Sequence, residues 1–81
     1  MRLRKQELGN KNIVGKNIER IRKEQGMKQK ELLAKLQTYG IDMNASALSK
    51  LEGQIRLVTD YELEAIARIL NVSIEELIEK N

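Results

Sequence analysis

The 81-residue chain has no cysteine, no histidine, no proline, no phenylalanine and no tryptophan. Without cysteine there are no disulfides and no thiolate metal sites, which fits a reducing compartment. Without histidine as well, the commonest general base and the usual zinc ligands are missing. We therefore expect no catalysis, no metal and no cofactor. The acidic group Glu75, Glu76 and Glu79 is no exception, because it falls at the start of a short helix, where negative charge favours the dipole. No apolar run approaches the roughly 18 residues of a membrane span, and the N-terminal MRLRKQELGNKN lacks a signal-peptide core. The expectation is a cytoplasmic protein without a membrane partner. Only Tyr39 and Tyr61 could stack on unpaired bases, so RNA is a poor candidate ligand. Nothing in the chain alternates with period 2, and no proline interrupts it, so helix is the default. A glycine-rich phosphate loop would have to follow a strand, and none is evident.

Hydrophobic residues make up 41% of the chain. They suffice for one core of Leu, Ile, Val, Met and Ala, and the length leaves no surface for a second. The net charge of +3 is unevenly spread. Residues 1–30 hold ten Lys/Arg against three Glu, whereas residues 31–81 hold five against nine acids. A basic end of this kind is the electrostatic footprint expected for a polyanion partner, although charged helix surfaces are often merely solvated.

Residues 1–11 carry Arg2, Arg4, Lys5 and Lys11 with weak periodicity, and read as a flexible basic arm ahead of one domain over 12–81. Val14, Ile18 and Ile21 recur at helical spacing over about 12–25, and Gly26 caps that helix. A second helix over about 28–38 turns Leu32, Leu33 and Leu36 inward, from an irregular start at Lys28. Gly40 breaks the chain, Ile41 and Met43 anchor the connection, and Asn44 caps a third helix that ends near Gly53. Thr59–Glu62 and Ser73–Glu76 are capping boxes for two further helices. The fourth has a Leu63, Ile66, Ala67, Leu70 stripe, and the fifth offers Leu77 and Ile78. Asn44 and Asn71 each begin an N-x-Ser sequon, and both read as helix starts. Five helices with short links predict an all-α bundle.

In the third helix, ALSKLEG places Leu48 and Leu51 on one side and Ser46, Ser49 and Lys50 on the other. With the order Gly26, KQKELLAKL, ALSKLEGQIR and ELEAIARILNVSIEELI, the chain resembles the phage-repressor/Cro-like helix-turn-helix family from about Gly15 to Ile78. The resemblance implies a lambda-repressor-like fold that binds double-stranded DNA, with helix 2 against the backbone and helix 3 in the major groove. Base-reading candidates are then Asn44, Ala45, Ser46, Ser49 and Lys50. Small hydroxyl side chains let a helix sit deep in a groove about 12 Å wide, Lys50 can reach guanine O6 and N7, and Ala45 can touch a thymine methyl. Gln29, Gln54 and Arg56 match positions that contact phosphates. Arg22 and Glu52 match a partly buried ion pair between helices 1 and 3.

Two departures from the family pattern stand out. About five extra residues lie between Gln29 and Glu52, which suggests a longer helix 2, and Leu33 replaces a small residue. Leu57, Val58, Tyr61, Ala65 and Ile69 read as an apolar patch opposite the helix-4 core stripe, the candidate interface of a homodimer formed either in solution or only on DNA. The expected function is a sequence-specific transcriptional regulator, with repression the favoured sign. The rival is a protein-interaction module of the same fold, such as an antitoxin-like protein or a co-regulator.

Overall fold

Five helices account for most of residues 11–79, which the computed structural model describes. They are α1 (Gly15–Glu24), α2 (Gln29–Gln37), α3 (Ala45–Glu52), α4 (Asp60–Leu70) and α5 (Ile74–Ile78). No strand occurs among these residues. None of their helices is long and apolar enough to cross a membrane. The arm at residues 1–11 lies outside the description, Lys11 excepted.

The helix starts follow their side-chain oxygens. Asn44 Oδ1 accepts from the Ala47 N–H at 2.7 Å, and the Thr59 and Ser73 hydroxyls accept from the N–H groups of Glu62 and Glu76. The carboxylates of Glu62 and Glu76 reach back to the N–H groups of Thr59 and Ser73, closing both capping boxes. At α2 half of such a box forms: Glu31 accepts from the Lys28 N–H, and the Lys28 ammonium has nothing to accept with. Asn71 is not a helix start. It sits past the end of α4 at φ 58°, and Ser73 caps α5 instead.

One closing device ends four of the helices. At α2, the Gly40 N–H donates to Gln37 O and the Ile41 N–H to Leu36 O, with Gly40 at φ 77°. The same pair of bonds ends α1 at Gly26 and α4 at Asn71. At α3 the left-handed position falls on Gln54, at φ 64°, and not on Gly53.

The sequence places the surplus residues of the α2–α3 region in α2, but the structure does not. That helix has nine residues and stops at Gln37, so the extra length lies in the connection 38–44. Ile41 and Met43, both 8% exposed, pin that connection to the core. Ile18, Leu32, Leu36, Leu48, Leu51, Ile66, Leu70 and Leu77 are fully buried and join all five helices. Each such side chain contributes about 1.5–3 kcal/mol over its exposed state. Leu33 and Leu63, expected inside, are half-buried at the edge of this cluster. α3 packs against α1 and α2, while α4 closes the opposite side against α1, α2 and α5.

Candidate nucleic-acid interface

α3 divides its side chains sharply between two faces. Leu48, Leu51 and Glu52 are buried, while Asn44, Ala45, Ser46 and Ser49 are exposed and Lys50 lies half-buried at the edge. The hydroxyls of Ser46 and Ser49 and the Lys50 ammonium make no hydrogen bond or ion pair with other described residues. Asn44 spends its Oδ1 on the cap and keeps its amide N–H groups. The outward face is thus small, neutral at its centre and rich in unused donors and acceptors.

The charges around this face follow a pattern. Five ion pairs form among the described residues: Arg20–Glu24, Lys23–Glu19, Arg68–Glu64, Arg22–Glu52 and Arg56–Glu62. Lys28, Lys30 and Lys35 on and before α2, and Lys50 on α3, have no acidic partner. Lys11 and Lys16 are unpaired as well, so four of the six unpaired lysines among the described residues lie on or just before the two helices beside the neutral face. This is a suitable field for a polyanion.

Beneath the face lies a buried ion pair. Arg22 Nε donates to Glu52 Oε2 at 2.8 Å and its Nη2 to Oε1 at 3.1 Å, with side chains 7% and 2% exposed. Arg22 Nη1 also donates to the Met27 carbonyl at 2.7 Å. The hydrogen bond to Glu52 raises the Arg22 pKa above its usual value against the opposing effect of burial, so the guanidinium stays charged. Gln29, the first residue of α2, donates its Nε2 to Glu52 Oε1 at 3.0 Å. One carboxylate on α3 thereby gathers α1 and the start of α2.

The loop after α3 holds the other two phosphate candidates, and both are engaged internally. Gln54 donates its Nε2 to the Asn12 carbonyl at 3.1 Å. Arg56 is not a free surface charge: Nη1 and Nη2 donate to the two Glu62 carboxylate oxygens at 3.0 and 2.9 Å. Arg56 chiefly holds the Glu62 carboxyl below its ordinary range, and the Thr59 N–H adds to this against desolvation.

The expected apolar patch on α4 does not form as a patch. Ala65 is 3% exposed and belongs to the core, and Ile69 and Val58 are half-buried against it. α4 is covered on two sides, so its inward arc takes in Ala65 and Glu62 as well as Ile66, Ala67 and Leu70. Leu57 and Tyr61, at 51% and 61%, remain exposed. Ile13 and Ile78, both well exposed, instead border a groove of about 150 Å³ with Val58 and Leu63 along its floor.

Two structural residues near the interface, and the partnership of a third, are not marked by the sequence. Asn12 and Gly15 pack against the end of α3, and Glu62 ties the following loop to α4. Only Glu62 left a local signal, the capping box, and that signal did not name Arg56.

A family model described as the Cro/C1-type HTH DNA-binding domain matches residues 17–81. No curated protein and no solved structure matches the chain.

Proposed function

The chain belongs to the Cro/C1-type helix-turn-helix family and is a DNA-binding regulator in general terms; from that premise we propose that it is a sequence-specific repressor. It reads the major groove of double-stranded DNA with α3. The observation that carries this reading is the outward arc of α3, where Ala45, Ser46 and Ser49 stand exposed without internal partners beside Lys50. Ser46 and Ser49 address base edges, Lys50 reaches a guanine, and Ala45 meets a thymine methyl. The Asn44 amide N–H groups lie at the leading end of the helix. Gln29, with the first amides of α2, serves a phosphate, and Lys28 and Lys30 flank it. The loop 54–56 positions the backbone more than it neutralises it, since Arg56 is already paired. Repression follows from occupancy, because a bound domain excludes other proteins from its site.

The protein pairs as a two-fold dimer on DNA, with half-sites about one helical turn apart. Leu57 and Tyr61 are the exposed apolar residues that support this, and Ile13 and Ile78, also exposed, border the groove they share with Val58 and Leu63. Ala65 has no part in it. A cytoplasmic location accords with such a role.

Selection from random duplexes tests the reading, followed by affinity measurements on the winning site. Binding should weaken steeply with salt, as phosphate contacts demand. Lys50→Ala should cost about 1–3 kcal/mol on that site and relax the preference at one base position. Full affinity with an unchanged preference would remove α3 from the reading role. Salt-insensitive capture of a protein partner, with no enriched duplex, would favour the interaction module instead. Sedimentation of the protein with its site checks the dimer, and one protomer per duplex at saturation excludes it.

A further inference from the structure

One buried side chain outside the helix-turn-helix ends its hydrogen bonds upon it. Asn12 is 4% exposed. Its Oδ1 accepts from the Val14 and Gly15 N–H groups at 3.2 and 2.8 Å, which serves the first turn of α1. Its Nδ2 donates to the Leu51 carbonyl at 2.9 Å and to the Arg56 carbonyl at 2.7 Å. Gln54 closes the circuit by donating to the Asn12 carbonyl. It does so from a left-handed backbone, a conformation that a side chain of its size rarely adopts without support. Gly15 completes the contact, since a Cβ there would run into the Leu51 carbonyl oxygen.

Apolar burial of Leu48 and Leu51 decides which face of α3 turns inward, but it is non-directional. It leaves a short helix free to slide or rock by fractions of an ångström. Hydrogen bonds to the carbonyls at the helix end and in the following loop are directional, and they remove that freedom.

We propose that Asn12 is a positioning residue for DNA recognition. Its amide clasps the end of α3 and the next loop to the start of α1, and so fixes how the Ser46–Ser49–Lys50 face meets a duplex. The inference rests on the DNA-reading role of α3 proposed above. Asn12 touches no base itself and acts through Leu51 and Arg56.

Asn12→Asp separates the clasp from the cap. Aspartate serves a helix start as well as asparagine does. It keeps an oxygen for the Val14 and Gly15 N–H groups and turns a second oxygen, not a donor, toward two carbonyls. Asn12→Ser is the companion variant: serine also caps well, and its hydroxyl is too short to span to Leu51 and Arg56. Operator affinity and the single-base preference profile are measured for native and variant proteins at a temperature where circular dichroism shows all of them folded. Asn12→Asp should lose about tenfold or more in operator affinity with a flattened profile. It should recover part of that loss between pH 8 and 5.5, because burial raises the pKa of the new carboxyl and its protonated form regains a donor. Asn12→Ser should show the loss without the recovery, and the native chain, which lacks histidine, sets the baseline over this range. If either variant folds and keeps the native affinity and profile, the proposal is overturned and Asn12 serves stability alone. A native chain that enriches no duplex removes the reading role and the proposal with it, and that failure is visible in the native protein itself.

Discussion

Arg22→Met would strand a carboxylate inside the protein. The Glu52 side chain is 2% exposed, and its two oxygens take three donors, two from Arg22 and one from Gln29. Without Arg22 only the Gln29 amide remains to compensate the charge. Breaking one side of a buried pair costs about 3–5 kcal/mol. At about 0.05–0.15 kcal/mol per residue, a chain of this size has only about 4–12 kcal/mol in total. The variant should therefore lose about a quarter of its stability or more. Glu52→Met should be milder, at about 1–3 kcal/mol, because Arg22 keeps the Met27 carbonyl and its long stem can carry the charged head toward water. The double change leaves no stranded charge and replaces the pair with apolar volume, a swap that is often close to neutral. It should recover most of the Arg22→Met loss.

Urea melts of the native protein, both singles and the double decide this. With a slope of about 1 kcal/mol per M, Arg22→Met moves the midpoint by about 3 M or abolishes the transition. Operator affinity should fall only to the extent that the variant unfolds. Two small, strictly additive effects of under about 1 kcal/mol would refute the reasoning. They would show that the charges behave as solvated ones and that α3 is held by its leucines alone.

The other predictions concern the same region. Gly15→Ala should cost about 3 kcal/mol or more, because its Cβ meets the Leu51 carbonyl and the Asn12 amide with no room to yield. Gly40→Ala has open space around it and should cost only the left-handed penalty of about 1–2 kcal/mol; thermal melts showing equal losses would contradict the close approach. For Glu62, the folded pKa lies below its usual value near 4.5, so its contribution is fully present above that pH and is lost as pH falls through the folded pKa. The stability gap between native and Arg56→Gln, read by denaturant melts, should hold from pH 7 to about 5 and close below about 4.5. A gap unchanged at pH 3 would mean that Arg56 and Glu62 are uncoupled.

Much of this architecture could be read from neighbouring residues. The capping boxes at Thr59 and Ser73 involve partners three residues apart, so they are visible in any reading of the chain, and both form. The two faces of α3 likewise follow from helical periodicity over eight residues. The end of α2 near Thr38 is legible from Gly40, but the surplus residues fall in the connection and not in a longer helix, because Gly40 and the buried Ile41 impose the closing turn. Ala65 falls opposite the single stripe that periodicity predicts and is buried nonetheless, because α4 is packed from two directions. Asn12 left no signal at all. Its partners Leu51 and Arg56 lie 39 and 44 residues away, and nothing local marks an asparagine that serves a distant carbonyl. Arg22 and Glu52 are 30 residues apart, and the resemblance pointed to them where periodicity could not.

These polar contacts share a location that bears on how such a domain can work. Glu52 holds α1 and α2 to the last turn of α3, Asn12 holds the Leu51 carbonyl, and Gln54 and Arg56 fasten the loop that follows. All of them grip the inner face or the trailing end of the helix. The outward residues, Ala45, Ser46, Ser49 and Lys50, contribute no side-chain bond to the fold. Surface positions without such ties usually change stability by no more than about 0.5 kcal/mol on substitution. Apart from Asn44, whose Oδ1 caps the helix, the residues that would choose a DNA sequence are therefore separate from those that hold it still. A change in the first set alters which sequence is read, and a change in the second alters how firmly and how selectively the helix reads it, or whether the domain stays folded.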